Sequence, residues 1–191
     1  MLVGCEYSCV VRDAFAASGH YAISCDIIET ESEPVEGAAH VVGDVFDVLA
    51  SKHPFDLVIL HPPCTHLAVS GARWWKDKAD EQKKAIDWTV ALFDFACKRA
   101  RMVALENPVG KLSTAWRKPD QYIQPHEHGH PCTKKTGLWL HNVSKLQPTD
   151  PVQPVNGSEM HRVPPSANRG RIRSRTYPGI AAAMADQWGS P

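Results

Sequence analysis

The segment Phe55–Leu60 constrains the fold more than any other part of the sequence. It reads Phe-Asp-Leu-Val-Ile-Leu and is apolar at every position except Asp56. A strand this apolar is typical of the centre of a parallel sheet, where both faces of the strand are buried. Parallel strands need crossover connections, which are usually helices that cover those faces. The segment therefore predicts an α/β protein.

The remaining chain contains the strands and helices that such a sheet requires. Apolar runs typical of strands occupy residues 2–5, 21–28, 40–42, 102–105 and 137–140, and helical spacing occupies residues 10–17, 77–99 and 178–188. In the longest helix, Ile86, Val90, Phe93 and Cys97 should share the buried face. We predict a doubly wound, mostly parallel sheet with helices on both faces, formed by residues 1–191 as one domain.

Composition fits one ordinary domain with a buried core. The 191 residues are 43% hydrophobic, and no apolar run approaches the roughly 20 residues that a membrane-spanning helix needs. The first residues lack the pattern of a secretory signal peptide. The six cysteines include no C-x-x-C pair, so we expect reduced thiols, a cytoplasmic protein and no membrane partner.

Charge is distributed unevenly although the net charge is zero. Residues 1–107 contain 10 Lys and Arg against 16 Asp and Glu, a net charge of −6, and residues 108–191 contain 11 against 5, a net charge of +6. The basic half ends in four alternating arginines, Arg169, Arg171, Arg173 and Arg175. Their spacing suits phosphates, so we predict that they bind nucleic acid; the alternative is a solvated loop without a partner.

Several predicted strands end in residues that can bind a ligand. In doubly wound sheets, ligands bind beyond the carboxyl ends of the strands. Asp26 closes the second strand, where α/β proteins commonly bind the two hydroxyls of a ribose, although a turn or cap residue is the alternative. The first turn, residues 4–9, is not a G-x-G-x-x-G. A single nucleoside-bearing cofactor is therefore expected rather than a dinucleotide.

Cys64 is the strongest candidate for a catalytic residue. Pro62 and Pro63 restrict the backbone directly after the central strand, so the thiol should be held rigidly. It is predicted to be a nucleophile, and its reactivity depends on a lowered pKa.

Glu106 and Asn107 end the neighbouring strand. Carbon 5 of cytosine is not nucleophilic enough to take a methyl group unaided, whereas addition of a thiolate at carbon 6 turns the ring into an enamine. A carboxyl group held protonated beside the thiol would assist by protonating N3. We predict that Cys64 and Glu106 act together in this way; the alternative for Glu106 is a structural cap or ion pair.

Other polar and aromatic residues have more than one interpretation. Residues 126–132 contain three histidines and one cysteine but lack the paired spacing of zinc fingers, so no metal is predicted. Lys134 and Lys135 are candidates for contacting O2 of a base or a phosphate. Trp74 and Trp75 either stack on a base, cover the pocket or pack in the core.

In this order, the motifs resemble the cytosine-C5 DNA methyltransferase family, in particular its short members from phages and prophages. Residues 2–8 resemble the cofactor loop, Pro63-Cys64 the nucleophile motif and Glu106-Asn107 the Glu-Asn motif. Residues 129–136 stand in the place of the Gln-x-Arg-x-Arg motif, and residues 177–184 resemble the closing segment that returns to the cofactor.

The resemblance implies an S-adenosylmethionine-dependent methyltransferase of class I fold that acts on cytosine in DNA, in the host cytoplasm if a phage encodes it. The expected cofactor-binding residues are Gly4, Glu6, Tyr7, Ser8, Cys9, Asp26, Ile27, Asp44, Val45 and Pro62, with Asp26 on the ribose and Asp44 on the adenine. The expected catalytic residues are Cys64, Glu106, Asn107 and Lys134. DNA contacts are assigned to Lys135 and the four arginines.

The sequence departs from the family at several positions. Thr65 replaces the usual Gln after Pro-Cys, Cys9 replaces a glycine of the short relatives, and Lys134 and Thr136 replace two arginines. A Pro- and Arg-rich loop, 143–177, takes the place of the target-recognition region and offers no element for the major groove. Either specificity is slight, or a specificity partner or second copy supplies it, or the substrate is not duplex DNA.

Three alternatives follow from these departures. The first keeps the chemistry but acts on a free pyrimidine nucleotide or single-stranded DNA, and the second transfers another group from a modified cofactor. The third is a non-catalytic nucleic-acid-binding remnant of the fold. Retention of both Cys64 and Glu106 argues against the third, since a binding module needs neither.

Overall fold

The computed structural model of the protein describes residues 1–51, 53–69 and 77–189. Trp74 and Trp75 lie outside them. The strands are Leu2–Gly4 (β1), Ala22–Asp26 (β2), Ala38–Val42 (β3), Phe55–Leu60 (β4), Ala100–Pro108 (β5), Gln121–Ile123 (β6) and Thr136–His141 (β7). The helices are Val10–Ala17 (α1), Val45–Leu49 (α2), Ala79–Arg99 (α3), Leu112–Ala115 (α4), Arg169–Ser174 (α5) and Pro178–Gly189 (α6), with short 3₁₀ turns at Pro125–Glu127 and Glu159–His161.

The seven strands form one sheet in the order β3-β2-β1-β4-β5-β7-β6. Strands β1 to β5 are parallel, and β7 runs antiparallel to both of its neighbours, β5 and β6. This arrangement confirms the predicted α/β class with a mostly parallel sheet. The strand order is compatible with the predicted class I methyltransferase fold.

The central strand β4 is apolar throughout its buried part because helices cover both faces of the sheet. Leu57 and Ile59 pack in one cluster with residues of α1 and α6. Val58 and Leu60 pack in a second cluster with residues of α2 and α3. Successive side chains of a strand point to opposite faces, so a strand between two helical layers has no face for polar residues.

Two expectations about secondary structure need correction. The most buried positions of α3 are Gln82, Thr89, Leu92, Phe93 and Ala96, whereas Ile86, Val90 and Cys97 are half-buried. Ala96 packs in the second core cluster, and Ile86 and Cys97 pack against it. Strand β5 extends from Ala100 to Pro108, which agrees with the expected end of this strand at Glu106, Asn107 and Pro108. Elements α2, α4 and β6 are too short for a periodicity signal. The segment 143–177 is not all loop, because it contains α5 and a 3₁₀ turn.

The six cysteines all lie in the described ranges and form no disulfide. Within those ranges, no helix combines the length and the apolar character that crossing a membrane requires.

Gly4 lies where β1 passes closest to its neighbours. A Cβ atom at this position would lie 2.7 Å from Val45 Cγ2 and 2.9 Å from Leu60 Cδ2. Both neighbouring side chains are buried, so neither can move aside without disturbing the core. The absence of a side chain at residue 4 is therefore a packing requirement.

We predict that Gly4→Ala lowers the free energy of unfolding by about 1–3 kcal/mol, the usual cost of overpacking a core. Gly43→Ala is the matched control, because a Cβ atom there meets nothing within 4 Å. Urea denaturation of both variants measures the difference. Equal stability of the two variants would contradict the close approach.

Candidate active site

The candidate site lies where the parallel strands end. Gly4 of β1 pairs with Leu60 of β4, and Leu60 pairs with Leu105 of β5. Because these strands are parallel, the residues that follow them meet at the same edge of the sheet. The structure therefore brings the cofactor loop after β1, the Pro-Pro-Cys segment after β4 and Glu106 together, as the strand-end argument predicts.

Cys64 lies in a tight turn after β4. Its carbonyl accepts hydrogen bonds from the amides of Leu67 at 3.0 Å and Ala68 at 2.9 Å, and the residue is half-buried. Burial and then the charge of Glu106 raise the pKa of its thiol, while Lys134 and Arg173 oppose that rise. The predicted nucleophile is held rigidly, but its pKa is not lowered, so the thiol is protonated at neutral pH.

Glu106 forms a buried pair with a residue that sequence reasoning missed. Since Leu60 pairs with Leu105, the next residues, His61 and Glu106, lie side by side. His61 Nδ1 is 3.2 Å from Glu106 Oε2, and the two side chains are 9% and 16% exposed. This contact is the central polar interaction of the site.

The pair sets the charge of both partners. Burial alone would raise the pKa of Glu106, but the hydrogen bond and charge of His61, helped by Lys134 and Thr136, hold it below its usual range. Burial alone would lower the pKa of His61, but Glu106 and the charge of Glu6 together raise it. The pKa of Glu106 is thus shifted towards the carboxylate, in contrast to the expectation that this group is held protonated, and the pKa of His61 is shifted towards the protonated ring.

Asn107 forms a hydrogen bond to the Pro-Pro segment that precedes Cys64. Its side-chain amide donates to the carbonyl of Pro62 at 2.9 Å, and the residue is buried. Its Oδ1 atom has no hydrogen-bond partner among the described residues. This contact ties the end of β5 to the Pro-Pro segment, which gives Asn107 a positioning role for Cys64.

Glu6 stabilises the cofactor loop from inside. Its two carboxylate oxygens accept hydrogen bonds from the amides of Val11 at 2.7 Å and Arg12 at 3.2 Å. These amides belong to the first turn of α1, where a carboxylate is favourable. Because the side chain is only 4% exposed, its observed role is to cap α1, and cofactor binding by Glu6 stays a prediction.

The same loop contains two cysteines in the left-handed backbone region that favours glycine, Cys5 at φ 61° and Cys9 at φ 57°. Glycine would adopt the backbone conformation of Cys9 without strain. Its sulfur lies 3.1 Å from Ser24 Oγ and 2.9 Å from Thr30 Oγ1. These contacts stabilise an otherwise unfavourable conformation.

The second and third strands end in two acidic residues with different surroundings. Asp26 is half-buried and accepts from the amide of Ile28 at 3.4 Å, and Ile27 beside it is 80% exposed. Burial raises the pKa of Asp26.

Asp44, after the third strand, instead caps α2 by accepting a hydrogen bond from the amide of Phe46 at 2.8 Å. The other three residues that were expected at the cofactor are buried: Gly4, Val45 and Pro62.

The four arginines belong to a segment that lies across the site, here named the arginine segment (residues 169–175). The Tyr7 hydroxyl donates to the carbonyl of Arg171 at 2.6 Å and lies 3.3 Å from the Ser174 hydroxyl. From the opposite side, Lys134 Nζ donates to the carbonyls of Arg173 at 3.0 Å and Arg175 at 3.2 Å. The segment therefore bridges the cofactor loop and the residue expected to contact the base.

The arginine side chains have different partners. Arg171 and Arg175 both form ion pairs with Glu31, and the Arg171 guanidinium lies 5.6 Å from the centre of the Tyr7 ring. The Nε atoms of Arg169 and Arg173 are buried and lack a hydrogen-bond partner within the described ranges. Half-exposed ion pairs contribute about 0–1 kcal/mol each, so a phosphate could replace Glu31.

Lys135 and Ser8 complete the predicted set. Lys135 is exposed, and its ammonium lies 4.4 Å from the centre of the Tyr122 ring, a cation–π geometry. Ser8 is half-buried in the cofactor loop.

Residues 126–132 have structural partners. His130 Nε2 accepts from the amide of Gly179 at 3.0 Å, and His128 Nδ1 lies 3.0 Å from Thr149 Oγ1. Cys132 is buried. Among residues 1–51, 53–69 and 77–189, no three His, Cys, Asp or Glu residues are grouped so that they could hold a metal ion.

Comparison of the chain with models of protein families finds no match, and comparison with curated proteins finds none either. The resemblance to cytosine-C5 methyltransferases therefore rests on the motif residues and stays a prediction.

The free energy of unfolding should depend on pH through the His61–Glu106 pair. The pKa of Glu106 is lowered, so its contribution is present above about pH 4.5 and is lost as the pH falls through its folded-state pKa. The pKa of His61 is raised, so its contribution is present below about pH 6.5 and is lost as the pH rises through its folded-state pKa. We predict that the free energy of unfolding of wild type exceeds that of Glu106→Gln by about 1–3 kcal/mol. This difference should be largest between about pH 4.5 and about pH 6.5.

Thermal or urea denaturation from pH 4 to 9 measures this difference. Asp87→Asn is the control, because it breaks the exposed pair with Lys83 and should change stability by less than about 0.5 kcal/mol. A wild-type advantage over Glu106→Gln that does not vary with pH would contradict the assigned charges.

Proposed function

We propose that this protein is an S-adenosylmethionine-dependent methyltransferase that acts in the cytoplasm on carbon 5 of cytosine in DNA. One observation carries the proposal. A rigidly held thiol, Cys64, and a buried carboxyl group, Glu106, follow and end adjacent strands of a sheet whose order is compatible with the methyltransferase fold. The position of both groups at the same edge of the sheet supports covalent activation of a pyrimidine ring.

The chemistry assigns one step to each group. The Cys64 thiol gives its proton to solvent, and its sulfur bonds to carbon 6 while a proton reaches N3 through Glu106, which makes carbon 5 nucleophilic. Carbon 5 then takes the methyl group that the cofactor supplies and loses its hydrogen as a proton to solvent. The bond between sulfur and carbon 6 breaks, and N3 returns its proton to Glu106. Since the Cys64 thiol is neutral at rest, binding of the substrate must favour its ionisation, and Lys134 and Arg173 are the cations that act in this direction.

The surface beside β2 fits part of a nucleoside-bearing cofactor, which supplies the methyl group when bound. Asp26 offers a half-buried carboxylate for ribose hydroxyls, and Ile27 offers an exposed apolar face for a flat ring. At 80% exposure, Ile27 contributes little to packing among the described residues. Glu6 and Asp44 cap helices instead, so we assign cofactor affinity mainly to Asp26 and Ile27.

The arginine segment favours a second candidate substrate, a free pyrimidine nucleotide or single-stranded DNA. The segment lies across the site between Tyr7 and Lys134. A flexible strand or a single nucleotide needs a smaller opening than a duplex from which a base must be flipped. The same arginines suit phosphates of either substrate.

Covalent trapping tests the proposal. We expect a mass adduct on Cys64 when the protein is incubated with S-adenosylmethionine and DNA that carries 5-fluorocytosine, because fluorine at carbon 5 blocks release of the enzyme. Cys64→Ala should abolish both the adduct and methyl transfer while leaving DNA and cofactor binding intact. Cys97→Ala, at a half-buried cysteine on α3, is the control and should trap like wild type.

Duplex, single-stranded and nucleotide substrates are tested in parallel, and the substrate that traps identifies the class. The absence of an adduct with all three, in folded protein that binds the cofactor, would overturn the cytosine-C5 mechanism and favour a binding module.

Cofactor affinity should depend on the carboxylate of Asp26. We predict that Asp26→Asn weakens S-adenosylmethionine binding by roughly 10- to 100-fold, the value of one or two hydrogen bonds to a charged group. Isothermal titration calorimetry measures the change. Asp47→Asn, at an exposed residue of α2, is the control, and equal affinities for both variants would remove Asp26 from the cofactor site.

A further inference from the structure

His61 has no role in the motifs that suggested the proposed function, yet its ring contacts Glu106 directly. It lies between β4 and Pro62, its amide donates to the carbonyl of Gly4 at 2.9 Å, and its side chain is buried. Its backbone is thus held by β1 and its ring by Glu106. Its Nε2 atom is buried and has no hydrogen-bond partner among the described residues.

We propose that His61 is a positioning residue that orients Glu106 and holds the proton which Glu106 passes to N3 of the substrate ring. The inference rests on the proposed function, since it assigns a source to the proton of that reaction. The observation behind it is the contact of 3.2 Å between His61 Nδ1 and Glu106 Oε2 in a buried setting.

The proton transfer is balanced within the pair. As the Cys64 sulfur bonds to carbon 6, the carboxylate of Glu106 takes the Nδ1 proton of His61, which becomes neutral, and gives a proton to N3, so that Glu106 is again ionised. When the sulfur leaves, N3 returns its proton to Glu106, and Glu106 returns one to His61. The substrate ring therefore gains one proton and later loses it, and the His61–Glu106 pair is both the source and the acceptor of that proton.

The charges around His61 agree with this role. Glu6 in the cofactor loop and Glu106 on β5 favour the protonated imidazole, and Lys134 before β7 opposes it. The two carboxylates outweigh burial and the lysine, so the pKa of His61 is raised above 6.5. The pKa shift therefore favours the protonated form of the ring, compared with an isolated histidine.

The pH dependence of single-turnover methyl transfer tests the inference. In wild type, the rate should require an ionised Cys64 and a protonated His61, so it should rise with pH at low pH and fall at high pH, where the proton source is empty. His61→Asn keeps a hydrogen-bond donor towards Glu106 but holds no transferable proton. We expect this variant to be slower by on the order of 10²-fold and to lose the fall at high pH.

His128→Asn is the matched control. His128 is also buried, with Nδ1 near a hydroxyl and Nε2 without a partner among the described residues, and its variant should keep the wild-type profile. If His61→Asn retains the wild-type pH profile, the inference is overturned. NMR titration of His61 in wild type gives a test that needs no variant: a His61 pKa that matches neither limb of the rate profile also overturns it.

Failure of the inference is distinguishable from failure of the proposed function. If wild type forms no adduct on Cys64 with any 5-fluorocytosine substrate, the cytosine-C5 mechanism fails and the inference fails with it. If wild type traps the substrate but His61→Asn keeps the wild-type pH profile, the mechanism stands and only the role of His61 is rejected.

Discussion

The pairing of β1, β4 and β5 in parallel register is the constraint on which the candidate site depends. Backbone hydrogen bonds place Gly4 beside Leu60 and Leu60 beside Leu105, so the next residues of each strand converge because of the strand register. A slip of one residue would turn His61 and Glu106 to opposite faces. The apolar side chains on both faces of β4 oppose such a slip, and the core therefore specifies the geometry of the polar pair.

Long periodic elements and strand-end residues could be predicted from the sequence. The apolar run at 55–60, the helix at 77–99 and the meeting of Cys64 with Glu106 all follow from patterns that act over a few residues. The short elements α2, α4 and β6 contain three to five residues, which is too few for a period to show. Their positions depend on tertiary contacts such as the pairing of β6 with β7.

The chemistry of individual side chains was harder to predict, because a carboxylate has several uses. Glu6 and Asp44 follow strands as ligand-binding residues do, yet they accept backbone hydrogen bonds at the starts of helices. The charge of Glu106 depends on His61, and only the register of β4 and β5 reveals that partnership. The position of His61 directly before Pro-Pro-Cys was the one available signal, and it becomes informative once the strands are aligned.

The hydrogen bonds from Tyr7 and Lys134 attach the arginine segment through its main chain and not through its side chains. They are donated to the carbonyls of residues 171, 173 and 175, which every amino acid possesses. The ion pairs of Arg171 and Arg175 with Glu31 do depend on side chains. Substitutions at Arg169 or Arg173 can therefore alter the charge and shape of the segment while the main-chain bonds persist, so its sequence can vary without loss of its attachment to the rest of the protein.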